Sequence, residues 1–451
     1  MKKISKLLGL AVVLSSTMVS CSSSEDDVDL GEAKTVVNML SESVPVKLTA
    51  EQTLFVNDNN KFTMNFLKTV NEADRSGKSF IYSPLSITYV LGMVNDAATG
   101  LTEKELEETL GFHQGGIQAV NDYCKKLIDG LPKVDDKVTL NIANAIFLNQ
   151  NYTLKTQFHK DMQTYYDAKA EALNFSSPQT LDHINGWCNE KTKGMIPSIL
   201  DEVDPAIVSY LVNAIYFKAD WASKFDAKNT KTETFTIGTS VGLTNPPSYY
   251  THTCELPIMH QKVLISYLKS STYSAVIIPY GSGLWNMTVV LPEEGKTTND
   301  VIKELAESSV LNNRGWCDAG SNTFQAYEVD LKLPRFETSS DTNDFVNVDG
   351  LIGLLQKMGI NRVFFDGSAE IPNMCEGYNL YIEMMRQKAK IKVNEEGSEA
   401  AAVTVAAVNY KSASVPKEYP KATFHANRPF VYVIREASSG VILFVGKFTG
   451  A

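Results

Sequence analysis

The chain has little cysteine, no usable metal motif and no second long apolar run, and each shortage removes a class of explanation. Six cysteines stand in 451 residues: Cys21, Cys124, Cys188, Cys254, Cys317 and Cys375. Setting Cys21 aside leaves an odd number without CxxC spacing. That pattern suits mostly buried, free thiols better than a disulfide scaffold or a zinc site, with one disulfide left open. No segment of some twenty apolar residues follows the N-terminus, which excludes a later spanning helix. The net charge is -10, and residues 115–137 mix Lys125, Lys126, Lys133 and Lys137 with Asp122, Asp129, Asp135 and Asp136. A nucleic-acid partner is therefore not expected.

Catalytic signatures are also missing. None of His113, His159, His183, His252, His260 and His425 lies in an HExxH, and there is no GxSxG, Walker-type loop or GxGxxG. His252 and His260 read as ordinary surface histidines. A Ser-His-Asp triad assembles only in the fold, so sequence does not exclude one, but nothing marks it. The chain is expected to be no enzyme, with neither cofactor nor metal.

What is present begins at the N-terminus. Lys2, Lys3 and Lys6 precede the apolar Leu7 to Leu14 run and small residues up to Cys21, which is the build of a secretory signal over residues 1–20. The hydrophobic content of 43% supplies a large core for the remainder. Leu54, Phe62, Phe66, Leu67 and Val70 follow helical spacing up to Arg75-Ser76-Gly77. Phe80-Ile81-Tyr82 reads as a strand, ended by Ser83-Pro84, a cap and first-turn pair. Leu101-Thr102 with Glu105 reads as another helix start, Thr102 capping in a capping box. From about Tyr210 the texture turns β-branched and aromatic. Tyr273 to Pro279 and Met287 to Pro292 predict strands around the turn Gly281-Ser282-Gly283, and Phe430 to Ile434 with Val441 to Gly446 predict a closing hairpin. Helices first and strands later predict an α+β fold.

The most informative stretch lies near the C-terminus: Glu395, Glu396, Gly397, Ser398, Glu399, Ala400, Ala401, Ala402, Val403, Thr404 and on to Tyr410. After Gly397 it has one charge, no proline, and small or β-branched side chains, so nothing forbids its entry into a sheet. Helix propensity competes, since Ala and Glu are good helix formers. The mixed signal suggests two conformations. Alternation from Ser398 gives an uncharged face of Ser398, Ala400, Ala402, Thr404, Ala406 and Val408, with Glu399 on the other. Gly397 would supply hinge freedom.

This run resembles the hinge of the serpins, a family of serine-protease inhibitors. Other pieces resemble that family in the same order: Ser83-Pro84-Leu85-Ser86-Ile87, Ala143 to Phe147, Asn185-Gly186-Trp187 with Thr192 to Ile196, Leu211 to Trp221, Met287 to Pro292, Leu333-Pro334-Arg335-Phe336, Lys357 to Ile360 and Asn427 to Tyr432. The resemblance covers about residues 50 to 451. It implies a serpin domain over 49–451, with a helix-rich N-terminal half, a large central β-sheet, smaller sheets and an exposed reactive-centre loop at about 395–423. It implies a suicide-substrate inhibitor whose loop is cleaved, traps the protease as an acyl-enzyme and inserts as a strand into the main sheet. The alternative is a non-inhibitory serpin with a binding or structural role.

Counting along the family's loop puts the reactive bond at Lys411-Ser412, with Tyr410 and Lys417 as alternatives. Lys there suits trypsin-like proteases, with cysteine proteases as further partners. Ser412 to Thr423 is longer than is common in the family. Ser83, Ser86 and Asn213 match its shutter, Lys218 and Trp221 its breach, and Gln387 stands where many animal serpins have His. Cys21 after Met18-Val19-Ser20 resembles a bacterial lipobox, and Ser22 to Asp27 resembles surface-export signals of Bacteroidetes lipoproteins. The expectation is a monomer, lipidated at Cys21 and tethered by 21–48 to the outer membrane, an unmodified signal peptide being the alternative.

Overall fold

Local punctuation decides where strand gives way to helix. The computed structural model describes residues 34–35, 43–113, 115–242, 248–307, 324–398 and 418–450. In chain order its elements are β1 (Lys34–Thr35), α1 (Ala50–Ala73), β2 (Phe80–Tyr82), α2 (Pro84–Ala97), α3 (Gly100–Leu110), α4 (Gly116–Gly130), β3 (Val138–Asn149), α5 (Thr156–Tyr166), β4 (Ala168–Leu173), α6 (Gln179–Lys191) and β5 (Ser209–Asp220). There follow β6 (Lys231–Gly242), β7 (Ser248–Lys269), β8 (Tyr273–Tyr280), β9 (Trp285–Pro292), α7 (Thr298–Glu307), β10 (Gln325–Pro334), β11 (Phe336–Asp341) and α8 (Gly350–Lys357). The last are β12 (Ile371–Cys375), β13 (Tyr378–Leu380), β14 (Lys388–Val393), β15 (Gly397–Ser398), β16 (Lys421–His425), β17 (Phe430–Glu436) and β18 (Ile442–Phe448). Helices crowd the first half and strands the second, the α+β arrangement the sequence predicts.

Ser83 closes β2 and opens α2. Its side chain accepts from Ser86 N at 3.3 Å, and Pro84 occupies the first turn, where its missing N–H costs nothing. The α1 helix turns Phe55, Phe62, Phe66, Leu67 and Val70 into the core. The hairpin of β17 and β18 is buried at every residue.

The α3 helix departs from the sequence reading. It starts at Gly100, and Thr102 lies inside it, buried, rather than at its cap. The first-turn N–H groups of Leu101 and Thr102 donate to Glu370 Oε2, at 2.8 and 3.2 Å, while the Thr102 hydroxyl accepts from Glu370 N at 3.0 Å. Glu105 points elsewhere and accepts from the backbone of Asn361 and Arg362, at 2.9 Å each. A carboxylate from a distant segment thus satisfies the helix start, where the dipole favours negative charge. A local capping box is not needed.

Two sheets organise the rest. The larger, of ten strands, runs β16-β10-β7-β8-β9-β17-β18-β2, with β1 and β6 also on β7. The smaller runs β11-β14-β15-β5-β3-β4. Within it β3 and β5 form a long antiparallel ladder from Val138 opposite Ala219 to Leu148 opposite Ser209. Cys124, Cys188 and Cys375 are buried and Cys254 partly so, and all four are free; Cys21 and Cys317 lie outside the described residues. Burial pushes the Cys124 and Cys188 thiols up to about 12, so they are inert packing groups.

Removing the Glu370 carboxylate should unsatisfy the start of α3. Glu370→Ala is expected to lower stability by about 1 kcal/mol, the usual worth of a helix cap, read as a lower urea midpoint. An unchanged midpoint would refute the capping role.

Candidate functional site

The two acids that open the low-charge run are fastened before the run begins. Trp221, just past the end of β5, donates its backbone N–H to Glu396 O at 2.7 Å and its indole Nε1 to Asn394 O at 2.8 Å. Phe225 N donates to Glu395 O at 3.0 Å. The Trp221 ring stacks on Tyr280, centroids 4.3 Å apart and planes within 8°, which fixes the indole that holds the turn.

The side chains add charge pairing. Glu395 accepts from Arg335 Nη2 at 2.5 Å, from Arg335 Nε at 3.2 Å and from the Thr230 hydroxyl at 2.6 Å. Glu396 meets Lys224 Nζ at 2.5 Å, and the same ammonium holds Asp220 at 2.8 Å. Burial pushes the Glu395 carboxyl up, but Arg335 and Thr230 outweigh it and the group sits below its ordinary range. Lys224 is lowered by burial and raised further by its two acids, for a net rise.

Gly397 and Ser398 then enter the smaller sheet as β15. Ser398 pairs antiparallel with Ala219 of β5 on one side and with Val393 of β14 on the other. A Cβ on Gly397 would come within 2.0 Å of Ala219 O, so glycine is required by close approach of backbone. Its φ of +158° is also one that residues with a side chain rarely adopt, so backbone conformation and packing both favour glycine. Ser398 is 1% exposed, and its hydroxyl lies 2.5 Å from the buried Tyr280 hydroxyl, whose pKa burial pushes up. Both ends of the segment read from sequence as exposed loop are taken into sheets: Gly397 to Ser398 here, and Lys421 to Thr423 in β16.

Below β15, β14 and β5 share no register pair of their own among the described residues. A cavity of about 60 Å³ lies along this interval, lined by Ser83, Ser86, Asn213, Ile215, Gln387 and Ala389 among others. Ser86 Oγ donates to Asn213 Oδ1, and Asn213 Nδ2 donates to Asn144 Oδ1 at 2.8 Å. Gln387 uses both ends of its amide on one residue: Oε1 accepts from Ser83 N at 3.0 Å, and Nε2 donates to Ser83 O at 2.7 Å. A group that only accepted or only donated could not do this. Ser83 Oγ donates to Leu443 O at 2.7 Å, tying the network to β18.

Ser83, Ser86, Asn213 and Gln387 thus meet in one network, and Trp221 meets Glu395, Glu396, Gly397 and Ser398 in another. Lys218 is half-buried on β5 opposite Thr139, and the ammonium brought to the hinge is that of Lys224. Glu399, Ala400, Ala401, Ala402, Thr404, Lys411, Ser412 and Cys21 lie outside the described residues. Thr230, Lys224 and Tyr280 were not singled out from the sequence, and Arg335 entered it only within Leu333-Pro334-Arg335-Phe336. For Lys224 and Arg335 the linear signal was that two adjacent acids call for bases, without indicating which.

A family model described as "Serpin (serine protease inhibitor)" matches residues 57–450. Serpin B6 of Bos taurus is 31% identical over 398 residues, covering 86% of this chain and 97% of the relative. The leukocyte elastase inhibitor of Sus scrofa is 28% identical over 397 residues, covering 87% of this chain and 98% of its own. Among solved structures, the thermophilic serpin tengpin in its native state superposes with a TM-score of 0.73 at 24% identity, covering 94% of this chain and 98% of that one. Human thyroxine-binding globulin with thyroxine gives 0.72 at 26%, covering 89% and 99%.

The Glu395 pairing sets a pH dependence. Its folded pKa lies below the unfolded carboxylate value of about 4.3, so its contribution is complete above that value and is lost as pH falls through the lower folded value. Glu395→Gln should melt below wild type at pH 7, with the gap closing between about pH 5 and pH 3. A gap that persists at pH 3 would refute the assignment.

Proposed function

The chain belongs to the serpin family, and on that premise we propose that it is a suicide-substrate inhibitor of trypsin-like serine proteases, with cysteine proteases as further targets. The observation that carries this reading is β15. Two residues of the loop already stand between β14 and β5 in antiparallel register with both.

Continuing that register assigns the rest of the loop a place. With Ser398 opposite Ala219 and Val393, Ala400 would come opposite Phe217 and Ile391, and Ala402 opposite Ile215 and Ala389. Thr404 would come opposite Asn213 and Gln387, above the network that includes Ser83 and Ser86. These positions share the uncharged face, and Glu399 falls on the solvent side.

The proposed chemistry is the protease's own until it stalls. Its Ser or Cys attacks the Lys411 carbonyl, the bond to Ser412 N breaks with the amine leaving protonated, and an acyl ester or thioester joins Lys411 to the enzyme. The freed loop then adds its N–H and C=O groups to the unpaired edges of β5 and β14. About fifteen residues, 397–411, at roughly 3.3 Å each would carry the tethered enzyme on the order of 50 Å. Distorted there, it cannot complete deacylation.

The rival reading is a non-inhibitory serpin that uses the fold for binding, as thyroxine-binding globulin, solved with thyroxine, illustrates. Trypsin-family enzymes mixed with the mature protein separate the two. Wild type is expected to form an SDS-stable complex near one-to-one, and the rival forms none. Lys411→Ala should slow attack by trypsin without spoiling the trap, the cut site being read by mass spectrometry. Thr404→Arg buries a charge, costing several kcal/mol unless paired. It should be cleaved as a substrate that releases active protease, and a Thr404→Arg variant that still trapped trypsin would overturn insertion.

We further propose that the mature chain begins at a lipidated Cys21 and is held at the outer membrane, exposed at the surface. Wild type should partition into detergent and Cys21→Ala should not. A free N-terminus at Ser22 or beyond would refute the anchor.

A further inference from the structure

The reactive loop ends in β16, an outer strand of the ten-stranded sheet, and an unassigned side-chain cluster crosses from it to the sheet interior. β16 pairs in parallel with β10, and β10 pairs antiparallel with β7. His425 of β16, Lys332 of β10 and His260 of β7 are register partners in one row, so their side chains leave the same face. Asp330, two residues before Lys332, presents its carboxylate on that face as well.

The donor atoms converge. His260 Nε2 lies 2.6 Å from Asp330 Oδ1, and His425 Nε2 lies 3.4 Å from Asp330 Oδ2. One ligand atom from each of the three residues falls within 4.8 Å of the others. His425 Nε2 is shielded from solvent, and its approach to Asp330 lacks the geometry of a hydrogen bond, so a buried imidazole nitrogen is aimed at the cluster without a satisfied partner. Lys332, the cation in the same row, is occupied elsewhere, its ammonium on both oxygens of Glu233 at 2.8 and 2.9 Å.

We propose that His260, Asp330 and His425 form a divalent transition-metal site that fastens β16, and with it the C-terminal root of the reactive loop, to β10 and β7. Two imidazoles and one carboxylate without thiolate favour Zn²⁺, Co²⁺ or Ni²⁺ over Ca²⁺ or Mg²⁺. Zinc bonds of about 2.0–2.2 Å put neighbouring donors roughly 3.3 Å apart, so closure asks for about an ångström of side-chain movement and none of the strands. Three protein ligands leave a fourth position for water. The metal would take the place of the hydrogen at His260 Nε2, the neutral imidazole keeping its one N–H at Nδ1. The strand so fastened is bonded along one edge by β10, which makes a cross-link over three strands consequential.

The test uses the full mature chain and the metals alone. Calorimetry with Zn²⁺ is expected to find one ion per chain at micromolar affinity, weakened at least tenfold in each of His260→Ala, His425→Ala and Asp330→Asn. Co²⁺ is expected to give wild type the visible absorption of a four-coordinate site, absent from the variants. Zn²⁺ should also slow amide exchange of residues 421–425 in wild type only. His425→Gln keeps size and polarity without the metal geometry and covers the case in which the alanine variant fails to fold. Absence of binding, or binding unchanged in the histidine variants while His113, His159, His183 and His252 remain, would overturn the site. Binding without slower exchange at 421–425 would overturn the fastening.

Discussion

An interrupted ladder between β5 and β14 is the constraint on which the rest of the structure depends. Central strands of a sheet have N–H and C=O groups that cost free energy if buried without partners, and among the described residues β15 answers for two residues of that demand. The layer beneath meets the lack with side chains. Ser83, Ser86, Asn144, Asn213 and Gln387 are polar groups at depth, each hydrogen-bonded, lining or bordering the cavity where apolar packing would otherwise be expected. A core filled with aliphatic residues at these positions would close the interval for good.

The same constraint explains how charge is distributed around the hinge. Glu395 and Glu396 stand at the mouth of the interval, where Arg335, Lys224 and Thr230 are within hydrogen-bond reach. The residues beyond Ser398 carry a single acid as far as Tyr410. Charge placed at the mouth is partly solvated and paired, and modest in energetic weight for that reason. Charge placed deeper would meet the buried Tyr280, Phe217 and Ile215 side chains and pay for desolvation. The acids fix the register at which Gly397 and Ser398 enter the sheet. At the opposite end, β16 holds the loop by the edge of a different sheet, so both roots are anchored in separate layers. Among the described residues, His260, Asp330 and His425 are the cluster at that second root capable of holding a cation.

The chain by itself determined the class of fold. Ser83-Pro84 set a helix start, the strands β8, β9, β17 and β18 followed from apolar, β-branched runs, and the Gly397-Ser398 run announced a strand by its lack of charge and proline. These are local properties: caps, turns and period-two patterns depend on neighbours a few residues away. Gln387 was also legible, because an amide that donates and accepts is suited to a buried network whatever its partners.

Partners distant in sequence were decided only by the tertiary structure. Glu370 caps α3 from 268 residues away or more, which defeats a reading of Thr102 and Glu105 as a local capping box. Arg335 reaches Glu395 across 60 residues, Lys224 reaches Glu396 across 172, and Gly397 owes part of its necessity to the Ala219 carbonyl pressed against it. His260 and His425, ordinary in sequence, are brought to one carboxylate because β7, β10 and β16 lie side by side. A one-dimensional pattern specifies what each segment prefers to be. Which surfaces meet follows from long-range strand order, whose closure entropy and packing energy are properties of the whole chain rather than of any window along it.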